Sequence, residues 1–285
     1  MRGNMKYHSI VLGVLVAISY GCSTPAVDTP VVVTPPATTA GAAICVGLTA
    51  VDPAAYQGWA GDCPGCDEDA NGFHLLLNKS LSGGAIFLFN SAATWKNVQD
   101  DVLAAAATLK RGDLLVVMMS GHGGQLPDDN GDEADGLDET ICLWDGQVRD
   151  DEVLKLINKF PAGLRVVLIN DQCHSEGNFR SFMRKVQRVV TLGKYGKRKG
   201  AVLVKAKTGW DGQLIQFAGC REASYSYGSS TGGTWSQNLL STFSPTLTWR
   251  QWFDKAAAKM PSSQVPVWVE YGNITDGFRN GTALK

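Results

Sequence analysis

The sequence has no excess of charge: 26 Lys and Arg stand against 27 Asp and Glu, and charged residues make up only 19% of the 285. That balance excludes a strongly basic nucleic-acid binder and an acidic disordered tail. Cysteine is scarce as well. Seven in a chain of this length exclude a disulfide-dense secreted scaffold, and the odd number leaves at least one thiol unpaired or modified. The apolar run near the N-terminus, Ile10 to Ile18, is too short to span a bilayer. What is present is 44% hydrophobic residues, and residues 43–285 suffice for one large core or two small ones.

The first segment reads as an address. Arg2 and Lys6 precede the run from Ile10 to Ile18, and Ser19, Gly21 and Cys22 follow it, which together give a cationic, an apolar and a cleavage region over residues 1–21. Because Cys22 directly follows Gly21, the segment resembles a bacterial lipoprotein signal, with Cys22 lipidated as the mature N-terminus. An ordinary cleaved signal is the alternative. Either way the chain is expected to be exported, and lipidation would hold it to the membrane of the cell envelope. Residues 22–42, with Pro25, Pro30, Pro35 and Pro36, have the composition of an extended tether.

Residues 43–285 alternate short apolar runs with helical patterns, the sign of a mainly parallel sheet with helices on both faces. Six strands are expected: Ala43 to Leu48, Ala85 to Asn90, Asp113 to Ser120, Leu164 to Asn170, Leu214 to Ala218 and Val265 to Tyr271. Helical patterns cover Asp67 to Lys79, Thr94 to Lys110, Asp150 to Phe160, Thr234 to Thr242 and Thr248 to Lys259. Charge is partitioned between two blocks. Asp128 to Glu152 holds eleven acidic residues against one basic residue, Arg149, and Arg180 to Lys205 holds nine basic residues and no acidic one. The acidic block reads as a solvated hairpin. Trp210, Trp235, Trp249 and Trp252 read as packing.

Two of the expected neighbouring strands end in reactive residues. Asp113 to Ser120 runs into Ser120-Gly121-His122-Gly123-Gly124, and Leu164 to Asn170 runs into Asp171-Gln172-Cys173-His174-Ser175. Open α/β sheets place their ligands at such carboxyl ends. The glycines around His122 imply little side-chain packing there and let a substrate backbone approach. A cysteine is a nucleophile as its thiolate, and an imidazole can take its proton, so His122 and Cys173 form a dyad by role.

Ser-Gly-His-Gly-Gly followed by Asp-Gln-Cys-His-Ser resembles the metacaspase branch of the caspase-like clan, in particular its bacterial caspase-domain peptidases. Caspases carry the histidine about 50 residues before the cysteine, and here the two are 51 apart. The resemblance runs from Ile44 to about Tyr271. It includes Gly47-Leu48-Thr49-Ala50-Val51-Asp52-Pro53, then Tyr56, Gly58, Trp59 and Gly61, and later Gly136-Leu137-Asp138-Glu139-Thr140 with Asp150-Asp151-Glu152. It implies a caspase-like three-layer α/β/α sandwich with a mainly parallel six-stranded sheet. The implied activity is a cysteine endopeptidase cutting peptide or protein substrates after Arg or Lys, with no cofactor required for the chemistry.

By motif, His122 would be the general base, Cys173 the nucleophile, and the N–H groups of Gly123 and Cys173 the oxyanion hole. Asp171 and Asp69 would provide counter-charge for the basic side chain, with Cys66 and Ser120 beside them. Asp67, Glu68 and Asp69 also suit the first turn of a helix, where the macrodipole favours carboxylates. Calcium-dependent relatives bind the ion at a pair matching Asp150 and Asp151, although Arg180 stands where a further carboxylate is expected. Asp128, Asn130, Asp132 and Glu139 have EF-hand-like spacing, but Glu133 occupies the position that needs glycine. Glu176 stands where the family usually has glycine.

The basic stretch Lys194 to Gly200 lies where caspase-like enzymes are often cut, which suggests self-processing in loop 180–200. With Tyr195 as its one aromatic, it is a weak match to a nucleic-acid binder. Two rival readings remain at this point. One is a non-catalytic caspase-like binding module. The other is a thiol-disulfide oxidoreductase using Cys63-Pro64-Gly65-Cys66, which requires a strand directly before the pair, whereas a structural Cys63–Cys66 disulfide does not.

Overall fold

A computed structural model describes residues 38–131, 136–172, 204–206, 210–220 and 228–285. In chain order the elements begin with β1 (Gly41–Gly47), α1 (Cys66–Ser80), β2 (Ala85–Phe89), α2 (Trp95–Thr108) and β3 (Leu114–Ser120). A small sheet follows, β4 (Gly123–Pro127), β5 (Leu137–Leu143) and β6 (Gly146–Arg149), then α3 (Asp150–Ile157) and β7 (Arg165–Asp171). The rest comprises β8 (Val204–Ala206), β9 (Gln213–Ala218), β10 (Gly228–Ser229), β11 (Gly232–Gly233), α4 (Thr234–Thr242), α5 (Trp249–Ala258), β12 (Val267–Gly272) and α6 (Asp276–Arg279).

The main sheet has the order β2-β1-β3-β7-β9-β12-β8. It is parallel except where β12 meets β9. All six expected strands are in it, and the correction is a seventh, β8, a short segment inside the basic block. β1 and β3 are buried at every position, as strands covered on both faces must be, and this is why they read as unbroken apolar runs. The fold also begins earlier than the expected boundary at residue 43. Ala42 lies in β1, and the Thr39 N–H donates to the Ser80 carbonyl at 2.9 Å.

Two apolar layers flank the sheet. On one face Ile44, Val46, Val117 and Leu168 pack with Val98, Val102, Val153 and Leu156 of α2 and α3. On the other, Val116, Ile169 and Phe217 meet Phe73 of α1, Trp235 of α4, and Trp252 and Phe253 of α5. Phe217 lies 5.2–6.2 Å from the rings of Trp249, Trp252, Phe253 and Trp268. The four tryptophans read as packing are all buried. α5 opens with a capping box, in which Thr248 Oγ1 accepts from the Gln251 N–H and Gln251 Oε1 accepts from the Thr248 N–H.

The small sheet β4-β5-β6 was not expected, and the acidic block is solvated only in part: Asp129 and Asp145 are exposed, whereas Asp138 and Glu139 of β5 and Asp150 at the start of α3 are buried. Asp138 accepts a 2.7 Å bond from Arg149 Nε, the lone cation of the acidic block. Among the described residues, no helix is long and apolar enough to cross a membrane.

Candidate active site

The site begins with strand register. β3 and β7 are parallel neighbours, with Ser120 paired to Asp171. His122 and Cys173 each stand two positions beyond that pair in sequence. Cys173 itself lies outside the described residues, as do Cys22, Asp132, Glu176, Arg180 and the stretch Lys194 to Gly200. The backbone at His122 is fixed from two sides. Its carbonyl accepts from the Cys142 N–H at 3.0 Å and from Gln172 Nε2 at 3.3 Å.

The imidazole is more closely packed than its glycine neighbours implied. Trp59 meets it edge-on, ring centroids 4.9 Å apart, and His122 Nε2 lies 3.1 Å from the Asp62 carbonyl oxygen. A carbonyl only accepts, so this contact calls for a proton on Nε2, and in the neutral ring that tautomer leaves Nδ1 as the acceptor. Trp59 and Asp62 belong to the loop between β1 and α1, where the sequence pointed to Trp59 as part of the family resemblance and to Asp62 not at all.

Beneath His122, on the α1 side of the sheet, two carboxylates converge. Asp69 is fully buried and accepts from Ser120 Oγ at 2.8 Å, from the Gly233 N–H at 2.8 and 3.0 Å, and from Gln237 Nε2 at 3.2 Å. Asp171 is buried too, and its Oδ2 accepts from the Ser236 N–H at 2.9 Å. Burial first, and then the neighbouring charge of Asp171, push the Asp69 carboxyl up to about 7. A cation brought beside such a carboxyl would favour its charged form. All three carboxylates lie in the first turn of α1, as the helix-start reading expected, and of the three Asp69 alone is buried.

Glycine makes this convergence possible. A Cβ on Gly233 would lie 2.2 Å from Asp171 Oδ2 and 3.0 Å from Asp69 Oδ2. At the start of α1, Gly65 has φ +89°, and a Cβ there would lie 2.3 Å from the Ser229 carbonyl oxygen. Gly233, Ser236 and Gln237 belong to the segment around β11 and α4, where sequence reasoning assigned no individual residue. The available signal was the Gly232-Gly233 pair directly before a helix pattern.

Cys66 is buried at the first position of α1, three residues before Asp69, and forms a disulfide with Cys63. No strand directly precedes Cys63, since residues 52–62 form turns and loop. The pair therefore lacks the strand-end setting that thioredoxin-type chemistry requires. Gly123 opens β4 directly after His122.

The carboxylates that the sequence offered for calcium are placed as follows. Asp151 accepts from Asn130 Nδ2 at 2.6 Å, Asp150 is buried, and Asp128 Oδ1 accepts from the backbone of Asn130 and Gly131. Glu139 lies in β5, where Gln125 Nε2 donates to it at 3.3 Å. Among the described residues, no three His, Cys, Asp or Glu side chains converge as a metal site, and no chemical step is assigned to calcium.

The chain is similar to several known proteins. Metacaspase-2 of Arabidopsis thaliana is 30% identical over 195 residues, 62% of this chain and 44% of its own length. Metacaspase-1 of Cryptococcus neoformans var. neoformans serotype D is 33% identical over 147 residues, 47% of this chain and 31% of its own length. The chain thus spans less than half the length of the curated relatives it matches. A crystal structure of a protein from Geobacter sulfurreducens, 29% identical, superposes with a TM-score of 0.69 over 86% of this chain and 98% of that one. The model of the peptidase C14 caspase domain matches residues 49–275, which takes in the β1–α1 loop, both strand ends and the acidic recess, and the chain belongs to that caspase-domain family.

Proposed function

We propose that the chain is a cysteine endopeptidase of metacaspase type that hydrolyses peptide bonds after Arg or Lys. The observation that carries this reading is the convergence of buried Asp69 and Asp171 under the strand end that leads to His122. A basic side chain entering that recess would bring its own carbonyl carbon to the strand ends above.

His122 Nδ1 takes the thiol proton of Cys173, and the thiolate attacks the carbonyl carbon. The N–H groups of Gly123 and Cys173 donate to the oxyanion that develops. Collapse of the tetrahedral intermediate breaks the C–N bond, and the imidazolium returns its proton to the departing amine. Water then attacks the thioester, giving one proton to His122 and releasing the acid and the thiol. The Asp62 carbonyl holds the ring in the tautomer that these steps need.

A panel of internally quenched peptides with Arg, Lys, Asp or Leu before the bond tests the proposal, with and without calcium and with Cys173→Ala as control. Cleavage after Arg and Lys that disappears in Cys173→Ala is the expected result. A folded protein that cuts none of them overturns the reading in favour of a binding module. Activation by calcium would assign Asp150 and Asp151 a metal role. The proposal extends to an exported, membrane-anchored protein lipidated at Cys22, which fatty-acid labelling that vanishes in Cys22→Ser would support. Self-processing in loop 180–200 is checked by the size of the purified chain beside its Cys173→Ala variant.

A further inference from the structure

Trp59 is conspicuous among the described residues. It leaves 46% of its surface exposed, yet its ring packs against His122 at 4.9 Å. Nothing in the proton transfers described above requires an indole. The side chain is also held in place. Tyr56 meets the indole edge-on at 5.6 Å, and the Tyr56 hydroxyl donates to the Leu143 carbonyl at 2.7 Å. The loop is fixed by bonds from the Gly58 N–H to the Pro53 carbonyl, the Trp59 N–H to the Tyr56 carbonyl and the Val51 N–H to the Ala60 carbonyl. Gln57 sits at φ +55° in the turn that presents Trp59, a conformation uncommon for a residue with a Cβ. The exposed ring is thus a braced surface rather than a side chain that failed to find a core.

Strand order gives this surface a direction. Cys173 follows β7 in sequence and His122 follows β3, and the sheet continues from β3 to β1 and β2. The group that protonates a departing amine must lie on the amine's side of the scissile bond. Substrate therefore runs from the Cys173 side, over His122, towards the end of β1. The loop bearing Trp59 follows β1. One residue of extended chain covers roughly 3.4 Å, so the first side chain after the cut bond falls within reach of the indole.

We propose that Trp59 is a specificity-determining residue that selects an apolar, preferably aromatic, side chain immediately after the scissile bond. An indole presents a flat apolar surface with one N–H donor, and aromatic partners gain most from it through edge-to-face or offset contacts. No cation or carboxylate is needed for this selection, so it is independent of the acidic recess that receives the basic residue. The inference rests on the peptidase reading and adds to it a requirement on the leaving-group side.

The test uses the full chain and quenched peptides sharing one Arg before the bond, with Phe, Leu, Gly or Asp after it. The wild type is expected to favour Phe over Gly in kcat/KM by roughly fivefold, the size of one aromatic contact. Trp59→Ala should bring that ratio close to one, and Trp59→Phe should retain part of it. A Trp59→Ala variant slowed equally on every peptide would give the indole a purely positioning role and overturn the proposal. A flat preference in the wild type overturns it as well, while leaving the peptidase reading intact. Failure of the wild type to cut any of the peptides removes both. Should Trp59→Ala not fold, the Phe-to-Gly ratio of Trp59→Leu is measured instead, and a ratio equal to that of the wild type refutes the proposal.

Discussion

Replacing Asp69 with Asn removes one ionisation from the acidic recess and keeps its shape. In the folded protein the Asp69 carboxyl titrates at about 7, against an ordinary value of 3.8, because it is buried beside Asp171. Between those two values the folded chain holds a proton that the unfolded chain has released, so folding stability falls as pH rises. The contribution is fully present below pH 3.8 and is lost through about pH 7. At about 1.4 kcal/mol per pH unit, that interval corresponds to about 4 kcal/mol of instability accumulated by pH 8. The amide of Asp69→Asn cannot ionise, and the variant should gain that amount over its parent as pH rises. Urea denaturation of both proteins in a Cys173→Ala background at pH 4, 6 and 8 measures it. Under the same substitution, cleavage after Arg at pH 8 should weaken, since one counter-charge is gone. A stability difference that stays constant across the three pH values would refute the reasoning.

Two further substitutions test other parts of the structure. Gly233→Ala brings a Cβ within 2.2 Å of Asp171 Oδ2 and should force the two carboxylates apart, raising KM for Arg peptides by roughly tenfold or more, as loss of a charge-assisted contact does. Unchanged steady-state kinetics would refute that role. Arg149→Met strands the buried Asp138 carboxylate, a change that typically costs about 3 kcal/mol. The cost should be smaller at pH 5 than at pH 8, because burial already raises the Asp138 carboxyl and a protonated Asp138 needs no cation. Thermal melting at the two pH values gives the comparison.

The main sheet was legible because its strands are covered on both faces. Leu114 to Met119 and Val166 to Ile169 are apolar throughout, and a run of that kind stands out in any sequence. The small sheet was not legible for the opposite reason. β4 begins Gly-Gly-Gln, and β5 buries Asp138, Glu139 and Thr140, so neither shows the alternation or the β-branched content that marks a strand. Its charges are buried because Arg149 and Gln125 arrive from neighbouring chain segments, which local pattern cannot report.

The same contrast holds at the site. His122, Asp171 and Asp69 sit beside strand ends or at a helix start, and short motifs located them. Gly233 and Gln237 reach the recess from 164 and 168 residues beyond Asp69, and Ser236 from 65 beyond Asp171, so only the folded chain brings them together. Trp59 was noticed as part of a resemblance and not as a neighbour of His122, since an exposed tryptophan in a loop carries no periodic signal.

The pairing of Ser120 with Asp171 makes the site vulnerable in an unusual place. Successive residues of a strand face opposite sides of the sheet, so one residue inserted within β7 would turn Asp171 away from Asp69 and towards α2 and α3. Such an insertion could leave the sheet's outline intact while removing the acidic recess. It would also advance Cys173 by a residue relative to His122. For anyone lengthening or grafting this domain, the connections between elements are the safer places to change, and the β3–β7 register is the dimension to preserve.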